Sequence, residues 1–392
     1  MLAAPVTILC QQLICQPYLR QRHQHYLHDR HSRFFTCTIH QGYALPLKRF
    51  WYVIFRFRSG VRFNMRAIVC DKFDSPDKLK ISERDMPVPA DDEVLIRVKA
   101  AGLGYVDALT VAGLYQIKPP LPFIPGNEIS GVIEQTGESV RHLRAGQRIL
   151  AMPRQGGLAE YICLHESQCT PIPEALTHES AASFLINYCT AYHGLTYCGQ
   201  LEAKETILIL GASGGVGVAA IDIAKALGAE VIAAASTKKK RDACLEAGAD
   251  HVVDYTKADW RKDLEKILDG RPLNVVYDPV GGEFSEPAFR ALGPDGRFLV
   301  VGFAAGEIAR LPLNLPLLKR SAVIGVNWGA YVAANPLESR PVLTTLLEWI
   351  AEGRLNPQAG ESYPLNKTGT AMMKMLNRKA IGKVVIAINP EE

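Results

Sequence analysis

The chain has 392 residues, 48% hydrophobic and 21% charged, with a net charge of +4, the profile of a globular protein of two domains or so. No apolar run approaches the roughly 20 residues that span a bilayer, so a membrane-spanning helix is excluded. Nine cysteines without a C-x-x-C pair or a regular framework exclude a disulfide scaffold and read as reduced, intracellular thiols.

Residues 1–64 carry nine Lys or Arg and one acid, Asp29, a balance of +8 that leaves −4 for the remainder. Five of the ten histidines also lie here. The stretch reads as a disordered basic extension with three possible meanings. It is an Arg-rich, acid-poor targeting leader, a basic arm for nucleic acid, or a stretch ahead of a working protein that begins at Met65. The last is preferred, because "FWYVIFRFRSGVRF" is bulkier and poorer in Ser and Ala than a leader. It implies a cytoplasmic protein; a leader would imply a mitochondrial one. The cluster "HQHYLHDRH" has metal-ligand side chains but reads as a solvated tail.

From Met65 to about Ser183 the pattern is β-rich, beginning with Met65–Cys70 and including Val94–Lys99, with Pro and Gly turns between strands. From about Leu185 to Asn327 strands alternate with helices. Six strands are expected, at Thr206–Gly211, Val231–Ser236, His251–Tyr255, Leu273–Asp278, Arg297–Gly302 and Ala322–Val326. That count predicts an α/β fold with a doubly wound parallel sheet. Helices near Val342–Glu352 and Thr368–Asn377 follow, then a strand Lys383–Ile388 that returns to the first domain. The expected division is therefore 65–185 with 328–392 returning to it, and 186–327 for the dinucleotide domain.

Within the second domain, "TILILGASGGVGVAAIDIAKALGAEVIAAASTKKK" reads as one βαβ unit. The orphan N–H groups and dipole of its helix favour an anion beyond the first strand. Side chains at Gly214 or Gly215 would push a phosphate away, and Gly217 allows the helix to pack closely on the strand. There is no G-K-[ST] ending, which argues against a P-loop. The second strand ends at Ala235-Ser236-Thr237, where an NAD site carries Asp or Glu, and Lys238, Lys239, Lys240 and Arg241 follow. Charge-assisted hydrogen bonds to a 2′-phosphate contribute about 1.5–3 kcal/mol each. Two would favour NADPH by roughly 10²-fold or more. The alternative is a solvated helix start, which cations disfavour without an anion nearby.

The chain resembles the medium-chain dehydrogenase/reductase superfamily, and within it the zinc-free NADPH:quinone oxidoreductases, the zeta-crystallin-like group. The resemblance covers 65–392 and rests on "VLIRVKAAGLGYVDALTVAGLYQ", "PPLPFIPGNEISGVIEQTGESV", "GGLAEY", "LGASGGVGVAAIDIAKALGA" and "VVYDPVGG" in order. It implies a GroES-like β domain, a Rossmann domain and a substrate cleft between them. It also implies a homodimer through the edge strand Ala322–Val326. By resemblance, Ser213, Gly214, Gly215 and Val216 cradle the pyrophosphate, and Ser236, Lys240 and Tyr255 hold the 2′-phosphate. Thr190 and the backbone of Gly302 and Phe303 would lie by the nicotinamide, and Arg378 near the cofactor. Zinc-bearing relatives place Cys at Gly104 and His at Asn127; both ligands are missing here, as is the cysteine-rich lobe, so no metal is expected. Two departures from the family bear on the acceptor: Gly104 replaces a common Asn and Leu109 a common Tyr, whereas Tyr115 matches a second family tyrosine.

The expected chemistry is hydride transfer from NADPH to a quinone or similar small apolar acceptor. The cofactor supplies the chemistry, and the protein supplies position and exclusion of water. An enone would need a donor for its oxygen, Tyr115 or a backbone N–H; Tyr115 reads equally as a wall of an apolar pocket. One alternative is an enoyl reductase for an α,β-unsaturated ketone, aldehyde or thioester. The other is a dinucleotide-binding protein with a nucleic-acid or partner-binding role, which the net acidic 65–392 disfavours.

Overall fold

The computed structural model describes residues 63–389. The basic extension lies outside them apart from its last two residues. Strand β1 (Asn64–Val69) pairs antiparallel with β2 (Lys80–Asp85). The long β3 (Glu93–Leu103) leads into a short helix α1 (Tyr105–Val111), then β4 (Ile129–Thr136), β5 (Arg148–Ala151), β6 (Tyr161–His165) and β7 (Cys169–Pro171). Strand β3 pairs with β4 and β6, β4 with β5, and β5 with β7, all antiparallel. Ile96, Val98, Leu103, Ile129 and Ile149 fill the core of this sheet. Full burial of each such side chain contributes about 1.5–3 kcal/mol.

Helix α2 (His178–Tyr192) starts at Thr177, whose hydroxyl accepts the Ser180 N–H at 3.1 Å. It runs through the expected division at 185/186 and packs on both halves. On one side the carbonyl of Ala182 lies 1.9 Å from where a Cβ on Gly102 of β3 would stand, so only glycine fits there. On the other, the amide of Asn187 lies 2.7 Å from the Cβ position of Gly215.

The second sheet contains β8 (Thr206–Leu210), β9 (Glu230–Ala234), β10 (His251–Val253), β11 (Val275–Asp278), β12 (Arg297–Val300) and β13 (Ala322–Gly325). Their order is β10-β9-β8-β11-β12-β13, all parallel. These are the six strands expected, each ending one or two residues early where a ladder-free residue starts the loop, except β11, which starts two residues late. Side chains alternate between two cores: Ile207, Ile209, Val231 and Tyr277 face one, and Leu208, Leu210, Ile232 and Val276 the other. A sheet covered on both faces needs such unbroken apolar runs. Its helices are α3 (Gly215–Ala226), α4 (Lys238–Glu246), α5 (Trp260–Leu268), α6 (Ser285–Ala291) and α7 (Asn314–Lys319).

After β13 come α8 (Trp328–Ala334), α9 (Pro336–Ala351), β14 (Ser362–Pro364), α10 (Thr368–Leu376) and β15 (Val384–Ala387). Strand β15 pairs antiparallel with β3 and parallel with β14, so the chain does return to the first sheet. The strand order reverses between β8 and β11, and ligands of such sheets bind beyond the strand ends at that reversal.

Candidate dinucleotide and acceptor site

The turn after β8 is built for close approach. Gly211 has φ of 56°, and its carbonyl accepts the N–H of Gly214 at 2.9 Å. Gly214 is the N-cap of α3, and the first-turn N–H groups of Gly215, Val216 and Gly217 point beyond the strand. A Cβ on Gly217 would stand 2.7 Å from backbone atoms of Gly211 and Ala212, so the helix could not lie this close to the strand. Gly215 has a neighbour that sequence reasoning did not give it: its Cβ position faces Asn187 of α2 and, at 3.4 Å, the Cα of Lys383. Ser213 is buried and its carbonyl accepts the N–H of Gly382 at 2.8 Å. The segment before β15 therefore closes one side of the turn. Gly214, Gly215 and Val216 are half-buried and line the open side.

At the end of β9 the four cations separate by partner. Lys238 pairs with Asp242 at 2.8 Å and Arg241 with Asp254 at 2.8 Å. Lys239 is exposed. Lys240 is half-buried, and its Nζ donates to the carbonyl of Arg378 at 2.6 Å. Burial lowers the pKa of the Lys240 ammonium, and the charge of Arg378 adds to that effect. Arg378 follows α10 with φ of 57°, and its Nη2 donates to the carbonyl of Ala305 at 2.5 Å. The ring of Tyr255 stands edge-on to Phe284 with centroids 4.6 Å apart. Burial pushes its hydroxyl upward, and the Arg378 charge works against that. Lys240, Tyr255 and Arg378, far apart in sequence, thus form one cluster. Half-buried Ser236 begins the same loop, and the hydroxyl of Thr237 caps α4 by accepting the Lys240 N–H at 3.3 Å.

Beyond β11, Asp278 accepts the N–H groups of Val280 and Gly281 at 2.8 and 2.9 Å and the Ser285 hydroxyl at 2.5 Å. This fixes the turn of "VVYDPVGG". The N–H of Gly302 reaches the carbonyl of Asp278 at 3.3 Å. The ring of Phe303, 42% exposed, lies 2.8 Å from the Cβ position of Gly281. Thr190 is half-buried in the last turn of α2, and Tyr115 half-buried in the loop after α1.

Sequence reasoning missed a cluster of buried polar groups where the first sheet meets α2. Asp107, 6% exposed, accepts the N–H of Gly104 at 2.7 Å and that of Gly126. Burial raises its carboxyl to about 6, against the pull of those donors and of Lys383. Glu128 accepts the Ile186 N–H of α2 at 3.0 Å and pairs with Lys383 Nζ at 2.7 Å, with both side chains buried. The available signal was a carboxylate three residues after a strand-end glycine, the spacing of a helix cap. Gly104 and Asn127 face each other, with both Asn127 amide atoms 3.9 Å from the Gly104 Cβ position. A bare Cα and a neutral amide do not make a zinc donor set, and Asp107 is committed to backbone N–H groups. Among the described residues no group of three His, Cys, Asp or Glu is placed to hold a metal ion. No helix among them is long and apolar enough to cross a membrane.

Two known families match in the order of the two sheets. The alcohol dehydrogenase GroES-like domain covers residues 90–174, and the zinc-binding dehydrogenase family covers 215–352. A quinone oxidoreductase-like protein 2 homolog from Nematostella vectensis is 35% identical over 330 residues, 83% of this chain and 89% of its own. Quinone oxidoreductase-like protein 2 of Bos taurus is 35% identical over 84% of this chain and 94% of its own. Among solved structures, Escherichia coli quinone oxidoreductase complexed with NADPH superposes with a TM-score of 0.72 at 27% identity, over 83% of this chain and 99% of that one. With a GroES-like sheet, a dinucleotide-binding sheet and relatives of this closeness, the chain belongs to the medium-chain dehydrogenase/reductase family, among its quinone oxidoreductase-like members.

Proposed function

We propose that the protein is an NADPH-dependent, zinc-independent oxidoreductase that delivers a hydride to a quinone or similar electron-poor acceptor. The observation that carries this reading is the Lys240–Arg378 pair beyond β9. Two like charges lie close together, and their polar partners are backbone carbonyls rather than carboxylates. A 2′-phosphate would relieve that repulsion with charge-assisted hydrogen bonds, and Tyr255 and Ser236 border the same space. The NADPH bound in the E. coli quinone oxidoreductase structure supports the choice.

When bound, NADPH would supply the hydride and its two electrons. The chain's part is to bind and orient. The turn Ser213–Val216 offers N–H groups to the pyrophosphate, and Thr190, Gly302 and Phe303 flank the nicotinamide end. Closure of the cleft between the sheets would exclude water from the transfer, and Tyr115 would form a wall or donor on the acceptor side. Gly104 and Asn127 remove the thiolate and imidazole that zinc-bearing relatives use, so acceptor polarisation falls to protein hydrogen bonds. A homodimer through the outer edge of β13 fits the exposed Val323 on that edge and Leu317 and Leu318 nearby, 48%, 78% and 74% exposed.

A steady-state screen of small quinones and enones, each with NADPH and NADH, tests the reading. Turnover of quinones with NADPH preferred by tenfold or more is the expected result. Turnover of enones alone would make the protein an enoyl reductase, and equal use of both cofactors would remove the phosphate site.

A further inference from the structure

The loop after β12, residues 302–307, lies along the turn after β11, residues 279–282. Backbone bonds fix its inner edge. The N–H of Ala304 reaches the carbonyl of Pro279 at 3.1 Å, that of Ala305 reaches the carbonyl of Val280 at 2.8 Å, and the carbonyl of Glu307 accepts the N–H of Gly282 at 3.0 Å. The outer edge has little packing. Phe303 and Glu307 are exposed, and the Cβ position of Gly306 has nothing within 4 Å. A loop with so few buried contacts opens locally at low free energy. Among the described residues no backbone N–H donates to the carbonyl of Ala305; Arg378 Nη2 does, at 2.5 Å.

Arg378 is an unusual residue for its backbone. It stands just past the end of α10 with φ of 57°, a left-handed position that helix ends commonly give to Gly or Asn. Its N–H donates to the carbonyl of Met375 at 2.8 Å, and its own carbonyl accepts Lys240 Nζ at 2.6 Å. A strained backbone kept at a residue with a long side chain points to a use for that side chain. Arg378 thus touches two parts of the candidate dinucleotide site. Its carbonyl holds Lys240 of α4, and its guanidinium holds the loop that carries Phe303. The guanidinium is exposed and has five N–H donors, so the one on Ala305 leaves others for an anion.

We propose that Arg378 is a positioning residue through which the 2′-phosphate of NADPH orders the Phe303 loop, so that the phosphate contributes to hydride transfer as well as to binding. The inference rests on the cofactor reading above. In the free protein the Arg378–Ala305 bond faces water and competes with it. A 2′-phosphate beside Lys240 fixes the guanidinium by charge-assisted hydrogen bonds. The Ala305 carbonyl is held with it, and so is the wall beside the nicotinamide. NADH lacks that phosphate and leaves the loop as free as before. Binding energy from a part of the cofactor that does not react thereby aligns the part that does.

Hydrogen exchange of the full chain tests this, followed on peptides covering 303–307. The probes are saturating adenosine 2′,5′-bisphosphate and adenosine 5′-monophosphate, which differ by the 2′-phosphate alone. The bisphosphate is expected to slow exchange of the Ala304 and Ala305 amides roughly fivefold or more, and the monophosphate to leave them within about twofold of the free protein. Arg378→Ala is expected to bind the bisphosphate more weakly and, when saturated, to show no slowing. Arg378→Lys keeps a charge and a donor and is expected to retain part of it. At saturating cofactor, Arg378→Ala should bring kcat with NADPH down to that with NADH, whereas a residue that only bound phosphate would change KM alone. Slowing by both nucleotides alike, slowing by neither, or slowing that survives in Arg378→Ala overturns the proposal. So does an Arg378→Ala kcat equal to that of wild type. A bisphosphate that binds no tighter than the monophosphate would end the NADPH reading, and the proposal with it.

Discussion

Two charged side chains set the most direct tests. Lys240→Ala removes one of the two cations beyond β9, and KM for NADPH is expected to rise roughly tenfold or more while KM for NADH barely moves. Equal damage to both cofactors would take Lys240 out of the phosphate site. Asp107 makes a pH prediction. Its folded carboxyl is raised from 3.8 to about 6, so the folded state holds the proton more tightly than the unfolded one. The stability it contributes is complete below the unfolded pKa and lost as pH rises through the folded one. Denaturant titrations should therefore show wild type gaining about 2 kcal/mol over Asp107→Asn between pH 7 and 4.5. Lys383 and Glu128 face the same carboxyl with opposite effects, so a flat difference would mean that they dominate. A missing acid at a strand end has a chemical meaning, and that is what draws attention to Lys240 in the sequence. Asp107 offered only the local spacing of a helix cap; its second bond, to the N–H of Gly126, depends on a backbone crossing that no local pattern encodes.

At the level of elements, the six parallel strands were readable because each is a continuous apolar run buried on both faces. The runs overshoot the ladder because residues after it stay buried for another purpose. Tyr255 continues the run of β10 but packs edge-on against Phe284, beside Lys240 and Arg378. Helix α2 is hard to read from the sequence, because its N-terminal half lies within a β-rich stretch and its apolar residues serve two cores at once. Helix α3 depends on one small residue. Gly217→Ala places a methyl group against fixed backbone, so the helix must lift from β8, at a cost of about 1–3 kcal/mol. Chemical denaturation should show that loss together with weaker NADPH binding, and an unchanged midpoint would contradict the packing described. For the outer edge of β13, Val323→Lys is expected to convert a dimer to a monomer in light scattering after gel filtration. A wild-type monomer would dispose of the pairing.

Across the whole molecule, the Glu128–Lys383 pair is a buried polar tie between the segments that lead into β4 and β15, on either side of β3. Both side chains are almost wholly buried, so removing one strands the other's charge. Glu128→Gln is expected to cost about 3–5 kcal/mol in thermal or denaturant unfolding, and Glu128→Leu with Lys383→Met to recover much of it. If the single change is silent, the pair is solvated and apolar contacts hold these segments. The same short segment has a second consequence. Gly382 seals the glycine turn, Lys383 reaches Glu128, and β15 completes the opposite sheet, all within a few residues of the end of the described chain. A nascent polypeptide halted just before Gly382 would already contain the whole βαβ unit and every candidate cofactor contact. Its glycine turn would still stand open on one flank, so competence to hold a coenzyme should appear only once β15 has docked.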